Sequence, residues 1–365
     1  MTIDIKQIIE IAARGMSGDN AQPWWFQWDG NCLQVYHDSF RGRHFLNSSN
    51  HLSILSLGTV AELIAIAASL QGYEANILDL PNLGVDNHKP WFRVSFKKNP
   101  QSTSYTTRED VFLRRTCRGV FAGGSLATPL FDKIAESFHD LPEIRFSKTS
   151  NISKEFKELN IRCDQFIWKN ENCVRDMLSW FRLDNKESKV SDGMFWKELG
   201  IKSHELITLR LMRRFPELAK FFYYGGLKYI LRQVAHRNLG SSAGLCCLSL
   251  SETSNKAIFN LGRASMRLSL LLLKDSYVTQ PISSMAVTVL DFKTGAFNPN
   301  FSKNFFKILP RVEKCLRETF SLEAHETPGW VVRTGILHTI DKVAQSKRRP
   351  VENLLMIHDV DSIKS

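Results

Sequence analysis

The chain contains three short segments whose side chains suit the binding of a flat, phosphorylated molecule. The first is residues 17–26, SGDNAQPWWF, which begins with Ser17. Asn20 and Gln22 each offer amide donors and an acceptor, which suits the polar edge of a heterocyclic ring. The alternative is a capped loop, in which these amides satisfy backbone groups and the tryptophans fill the core. This segment alone does not decide between the two.

The second segment, RRTCRGVF at residues 114–121, concentrates positive charge. Arg114, Arg115 and Arg118 place three guanidinium groups within five residues, and Thr116 adds a hydroxyl. Guanidinium groups bind phosphate through paired hydrogen bonds, so this spacing suits a phosphate group. Three arginines in such a short stretch are also typical of a solvated basic turn.

The third segment, KRRPVE, lies near the C-terminus at residues 347–352. Lys347, Arg348 and Arg349 precede a proline and, two positions later, a glutamate. Taken alone, the segment is typical of a basic tail. The segment becomes informative about function only when it is considered together with the two segments before it.

Composition limits the classes of function. The 365 residues have a formal net charge of +11, which favours an anionic partner, but no zinc-finger spacing, aromatic RNA-binding strand or basic zipper is present. We therefore expect no nucleic-acid partner. The seven cysteines lack metal-ligand spacing and indicate reduced thiols in a cytoplasmic protein. We also expect no membrane span, which needs roughly 18 consecutive apolar residues.

The surrounding pattern predicts helices that alternate with strands. Helical periodicity predicts helices at residues 4–14, 53–71, 127–139 and 257–273. Alternating or short apolar runs predict strands at residues 32–37, 74–78, 91–96, 243–250, 284–290 and 329–336.

One pattern occurs twice. Gly58 begins an apolar helical stretch that leads to Tyr73, and Gly262 begins another that leads to Tyr277, and the tyrosine follows the glycine by fifteen positions in both. Two buried helices of one length, each leading toward strands, favour duplication of a helix-and-strand unit.

Residues 150–237 differ from the rest of the chain in being rich in charge and aromatic side chains. Residues 196–237 alone contain nine Lys or Arg and three Glu. The insert is either a lid or a helical pair that packs across the duplicated units. Binding to a membrane surface or to nucleic acid is a third possibility, which Pro216 and Gly225-Gly226 disfavour because they interrupt any long amphipathic face.

Together the three segments resemble the nitroreductase family. SGDNAQPWWF is similar to its S-x-x-N-x-Q-P-W-x-F segment, RRTCRGVF to its arginine element, and KRRPVE to its basic C-terminal tail. Here the N-x-Q-P-W segment precedes the arginine element, an order similar to that of tandem (Acg-type) nitroreductase-like proteins. In those, two degenerate copies form a pseudo-dimer within one chain.

The resemblance implies an α+β protein with a duplicated nitroreductase-like fold, in which antiparallel-rich sheets are flanked by helices. Residues 1–105 would form the first copy, and residues 106–365 the second, with the insert at about 150–237 as a lid. FMN would lie between the copies. Its implied binding residues are Ser17, Asn20, Gln22, Arg114, Arg115, Thr116, Arg118, Lys347, Arg348 and Arg349, together with Pro281 in the flavin turn.

At that turn the sequence departs from the family. Ser283 and Ser284 stand in place of the acidic residue and glycine that follow the proline. Only one complete arginine element is present, so we expect one FMN per chain.

The implied activity is electron transfer from NAD(P)H to a small acceptor such as a quinone or nitroaromatic. The alternative is a protein that stores FMN beneath a lid. Either function fits a monomer or a homodimer.

Overall fold

The structure is a computed structural model that describes residues 2–78, 80–296, 301, 303–340 and 343–357. Its helices and strands are numbered here in chain order. The first part contains α1 (Ile5–Ala12), β1 (Trp24–Trp28), β2 (Cys32–His37), α2 (His51–Leu70), β3 (Tyr73–Leu78) and β4 (Phe92–Lys98). The middle part contains α3 (Arg108–Leu113), α4 (Pro129–Glu136), β5 (Ile144–Thr149), α5 (Lys154–Lys169), α6 (Glu171–Ser179), β6 (Phe181–Arg182), β7 (Met194–Phe195), α7 (Leu206–Arg214), α8 (Ala219–Phe222) and α9 (Lys228–Gly240). The last part contains β8 (Gly244–Leu250), α10 (Asn255–Lys274), β9 (Tyr277–Pro281), α11 (Ser283–Lys293), α12 (Lys303–Phe306), α13 (Leu309–Phe320), β10 (Thr327–Ile336) and β11 (Leu355–Ile357).

Two sheets share one strand order. The first sheet has the order β11-β1-β2-β4-β3 and the second β5-β8-β10-β9. When β11 is set aside, all neighbours in both sheets are antiparallel, and each sheet reads first strand, second, fourth, third. In both, a long helix (α2 or α10) lies between the second and third strands in the chain. The predicted α+β class is therefore confirmed.

Helices α2 and α10 form the centre of the molecule. Each has 20 residues, and the two pack along each other with most of their side chains buried. Glu62 of α2 is buried and accepts hydrogen bonds from Arg267 at 2.8 Å and from Arg263 at 3.2 Å. A carboxylate buried this deeply requires a positively charged partner on the facing helix, because an isolated buried charge is strongly unfavourable.

Helix α2 is the one described helix with the length and apolar composition of a membrane span, with a mean hydropathy of 1.8 over its most apolar window. Of that window, 89% is buried inside the protein, which is typical of a core helix.

The predicted strand at residues 284–290 was also wrong, because these residues form α11. The run MAVTVL is apolar at every position except Thr288, and a short run of this kind has no periodicity that separates strand from buried helix. Helix α11 packs against α5, α13 and β10, so it is covered on several sides and needs no polar face. The other predicted helices and strands lie where the sequence placed them, apart from small shifts at their ends.

The insert packs against the rest of the protein and does not stand apart from it as a detached lid would. Its first helix, α5, packs against α11 and α13, and its last, α9, packs against α5. The C-terminal strand β11 pairs in parallel with β1, so the end of the chain returns to the first sheet. The division into copies at residue 105 stays a prediction.

Candidate functional site

Two adjoining cavities lie where the first sequence segment, the arginine element and the insert meet. The larger has a volume of about 410 Å³ and the smaller about 60 Å³. Both are lined by Met16, Ser17, Thr116, Arg118 and Met194. The larger volume lies within the range of about 300–1,000 Å³ that is usual for cofactor and ligand sites.

The small cavity brings together most of the predicted site residues. Segments that are far apart in the chain supply its walls, and the predicted residues among them are Ser17, Asn20, Arg114, Arg115, Thr116, Arg118 and Arg348. At about 60 Å³ it holds roughly four or five water-sized atoms, since one such atom takes ~10–15 Å³. That is the size of a phosphate group.

Three guanidinium groups at or near this cavity carry buried N–H groups that lack hydrogen-bond acceptors. Arg14 Nε and Nη2, Arg114 Nε and Arg348 Nε are buried and have no partner among the described residues. Buried donors are nearly always paired in native proteins, so these unpaired donors indicate a site for an acceptor that the chain does not supply. Four arginines line the cavity and Glu198 is the one acidic residue among its lining residues, so the missing acceptor is an anion.

Burial and mutual repulsion lower the pKa values of these arginines. Burial, followed by repulsion from Arg115, lowers the pKa of Arg14 from 12.5 to about 10. Burial, followed by repulsion from Arg14, lowers that of Arg114 to about 10. Burial and repulsion from Arg14 and Arg114 hold the pKa of Arg348 well below its ordinary value. Strongly perturbed groups beside a cavity are typical of functional sites.

Glu198 only partly balances this charge. It accepts a hydrogen bond from the Ser346 hydroxyl, and burial raises its pKa despite the nearby Arg118 and Arg348. Arg118 itself donates its one described hydrogen bond to the Met194 sulfur at 3.1 Å. Sulfur is a weak acceptor, so Arg118 keeps the capacity to bind an anion strongly.

The first segment follows an unusual backbone path. Asp19, Asn20 and Gln22 all have φ between 47° and 56°, in the left-handed region that residues other than glycine rarely adopt. The Asn20 amide donates to Gly193 O at 2.8 Å and to Lys347 O at 3.0 Å, so it joins the insert to the C-terminal tail. Strain of this kind persists where surrounding contacts fix it, and it is frequent at binding sites.

Three predicted site residues do not line either cavity. Gln22 is buried, and its side chain donates to Ser191 O and accepts from the Arg349 backbone N–H. The Arg349 guanidinium donates to Trp24 O and Asn353 O, and Lys347 is exposed. Gln22 therefore has the role of the alternative given for the first segment, in which its amide satisfies groups of the chain itself. The Arg349 guanidinium likewise binds backbone oxygens of the chain rather than a cavity.

The large cavity is walled by the second sheet, by α2 and by the insert. Pro281 and Arg333 line it from β9 and β10, while α5, α6 and α9 supply residues from the insert. Arg333 donates to Gln280 Oε1, Asn238 O and Gly119 O, so it positions three segments around the cavity. The Asn238 Oδ1 atom has no partner within the described part of the chain.

Two ionisable clusters also face the large cavity. Asp164 accepts a hydrogen bond from Ser284 Oγ at 2.7 Å, and burial raises its pKa from 3.8 to about 6. His44 Nε2 lies 3.0 Å from Asp19 Oδ2, and its Nδ1 accepts from the Leu46 N–H. Burial lowers the pKa of His44, but Asp19 more than offsets this, so its pKa is raised overall. Each cluster therefore places a group that can donate or accept a proton at the wall of the large cavity.

Sequence patterns did not identify Arg14, Asp164, Met194 or Glu198 as site residues. Each lies outside the three segments, and only the fold brings it to the cavities. Arg14 carried one signal, because it ends the helix that leads directly into residues 17–26. No known protein family and no curated protein matches this chain.

Proposed function

We propose that this protein binds FMN and transfers electrons from NAD(P)H to a small acceptor such as a quinone or nitroaromatic. One observation carries the proposal: buried guanidinium N–H groups without acceptors lie at a phosphate-sized cavity, and this cavity adjoins a second one large enough for an organic ring system. The small cavity needs an anion, and the large cavity needs a bulky, partly apolar group. A phosphorylated heterocycle has both.

The residues present fit FMN. Arg114, Arg118 and Arg348 line the small cavity and would hold its phosphate, together with Arg14, which lies beside Arg114. A doubly charged oxyanion supplies the acceptors that buried N–H groups of Arg14, Arg114 and Arg348 lack. Ser17 and Thr116 line both cavities and would bind the chain that joins phosphate to ring. When bound, FMN supplies hydride and electron transfer, and the protein supplies orientation and electrostatics.

The shared strand order supports the duplicated nitroreductase-like fold as part of this proposal. In such a pseudo-dimer the cofactor lies between the copies, and the small cavity takes residues from both sides of residue 105, Asn20 and Arg118 among them. The crossing of α2 and α10 at the core fits an intrachain version of a dimer interface.

Asp164 and the His44–Asp19 pair favour turnover over storage. Reduction of a quinone takes up protons as well as electrons, and both groups line the cavity. Burial raises the pKa of Asp164 to about 6, and Asp19 raises the pKa of His44 against the effect of burial. A carboxyl with a pKa near the working pH is the most effective proton donor.

Storage is the second candidate, and one observation favours it. The insert supplies Met194 to the small cavity and several apolar residues of α9 to the large one, so it forms a wall between the cavities and solvent. If this wall does not open, NAD(P)H cannot reach the ring.

Anaerobic mixing of the FMN-loaded protein with NAD(P)H separates the two functions. Turnover predicts loss of the oxidised-flavin absorbance within seconds and its return when a quinone is added. Storage predicts that the absorbance persists with excess NAD(P)H. The matched variant is Asp164→Asn, which keeps an acceptor for Ser284 and should slow reoxidation by quinone more than reduction by NAD(P)H.

A further inference from the structure

The outer surface of the insert exposes an unusual number of large apolar side chains. Between residues 206 and 237, nine of these side chains are exposed: Ile207, Leu211, Phe215, Leu218, Phe221, Tyr224, Tyr229, Ile230 and Val234. Ile207 is 64% exposed, Phe221 72%, and Tyr224 and Tyr229 61% each. Soluble monomers rarely concentrate exposed apolar groups in this way, and such patches usually mark an interaction surface.

These side chains are interleaved with positive charge. The same 32 residues contain seven Lys or Arg and one Glu. Lys228 lies over the rings of Tyr224 and Tyr229, at 5.7 and 4.7 Å from their centres, so a positive charge lies directly against two exposed aromatic side chains. Helices α7 and α9 each contact α8 or the turn that follows it, which joins the stretch into one layer.

We propose that this surface, residues 206–237, docks on an anionic lipid bilayer. Basic side chains beside exposed aromatic and aliphatic groups match the headgroup region, where phosphates meet the first apolar carbons. A second copy of the chain fits less well, because a self-complementary interface would bring the same basic surfaces together. Gly226, with φ of 145°, interrupts the helices, so the surface is built from several short helices rather than one long amphipathic helix.

The proposed docking surface lies beside the large cavity. Helix α9 carries Tyr229 and Ile230 on its exposed side, while its Leu231 and Ala235 line the large cavity. Val234 is both exposed and part of the cavity lining, so the cavity reaches the surface beside it. The bilayer would therefore lie next to the cavity.

Vesicle flotation with the full chain tests the proposal without reference to flavin. The protein should float with phosphatidylcholine vesicles that contain phosphatidylglycerol, and remain behind with pure phosphatidylcholine. Lys220→Gln combined with Lys228→Gln should weaken binding roughly twenty-five-fold, since each basic residue contributes about fivefold near an anionic surface. Phe221→Ser combined with Tyr229→Ser should weaken it at least about tenfold.

The controls use equally exposed residues elsewhere. Phe40 is 71% exposed outside this surface, and Lys98 is exposed on β4. Phe40→Ser and Lys98→Gln should bind vesicles as the unchanged protein does. Circular dichroism and thermal unfolding identify any variant that fails to fold; in that case Phe221→Ser alone, on a side chain already mostly in solvent, replaces it. Equal losses in control and surface variants would overturn the proposal. So would equal binding to both kinds of vesicle, or a dimer that these variants dissociate without any vesicle binding.

Discussion

Gly58 of α2 and Gly262 of α10 lie directly against each other where the two central helices cross. A Cβ atom built on Gly58 would lie 3.0 Å from the Gly262 Cα and 2.0 Å from the Phe259 carbonyl oxygen. A Cβ on Gly262 would lie 2.0 Å from the Leu55 carbonyl oxygen. The repeat seen in the sequence therefore corresponds to a contact, because each copy of the pattern supplies one of the two glycines.

Gly58→Ala and Gly262→Ala should each destabilise the protein. The added methyl group meets backbone atoms rather than a flexible side chain, so the helices must move apart. Overpacking of this kind typically costs about 1–3 kcal/mol. Denaturant unfolding measures the loss. Gly240→Ala is the control, since nothing lies within 4 Å of a Cβ there, and it should leave stability unchanged or slightly higher. Tolerance of both core substitutions would contradict this crossing.

The buried carboxylate of Glu62 should be costly to remove on its own. Its partners Arg263 and Arg267 would lose a counter-charge, although Asp140 stays beside Arg267. Breaking a buried ion pair costs about 3–5 kcal/mol, and Asp140 should hold Glu62→Ala to the lower end. Glu62→Leu combined with Arg267→Met should cost less than the sum of the single changes. Additive losses in a double-mutant cycle would show that the pair is not coupled.

The sequence predicted most of the fold because its long elements have strong local signals. Helix α2 is apolar on nearly all faces, and Leu33 and Val35 of β2 alternate with polar residues, as a strand with one buried face requires. It failed at α11, where a short apolar run is compatible with both structures. The choice between strand and helix depends on which other elements cover the run in the folded protein, and a local sequence pattern does not contain that information.

The site was predictable only where its residues share a segment. Arg114, Thr116 and Arg118 lie close together in the chain and close to the small cavity. Gln22 has the same amide as Asn20 two positions away, but the backbone turns between them and directs its amide into the protein. Glu198 lines the cavity from the insert, and Arg14, just after α1, lies beside Arg114, and only folding shows that they come together there.

Inorganic phosphate should stabilise the flavin-free protein. It supplies acceptors to Arg14, Arg114 and Arg348 and relieves their mutual repulsion. At a concentration one hundred times the dissociation constant, binding adds about 2.7 kcal/mol to the free energy of unfolding. Thermal unfolding in phosphate and in chloride of equal ionic strength measures this. Arg114→Met should abolish the difference, while Arg311→Met, on an exposed arginine, should preserve it. An equal shift in both salts would indicate general screening instead.

Asp164→Asn should stabilise the protein at neutral pH. Because the folded pKa is about 6 and the ordinary value 3.8, the folded state holds this proton more tightly. The free energy of unfolding therefore falls as pH rises from about 4 to about 6, and the deficit persists above that range. The variant lacks this titration, so it should gain roughly 1–3 kcal/mol at pH 7 and nothing near pH 4. A difference that is constant over this range would show that Asp164 does not titrate with a raised pKa.

The most direct measurement of the central claim is a calorimetric titration of flavin-free protein with FMN and, separately, with riboflavin. The account predicts about one FMN per chain and far weaker binding of riboflavin, which lacks the phosphate. Arg114→Met and Arg348→Met should weaken FMN binding roughly ten- to a hundred-fold, since each charge-assisted hydrogen bond contributes about 1.5–3 kcal/mol, and should leave riboflavin binding nearly unchanged. Equal affinity for FMN and riboflavin, or no binding of either, would contradict the claim that the buried arginines hold the phosphate of a flavin.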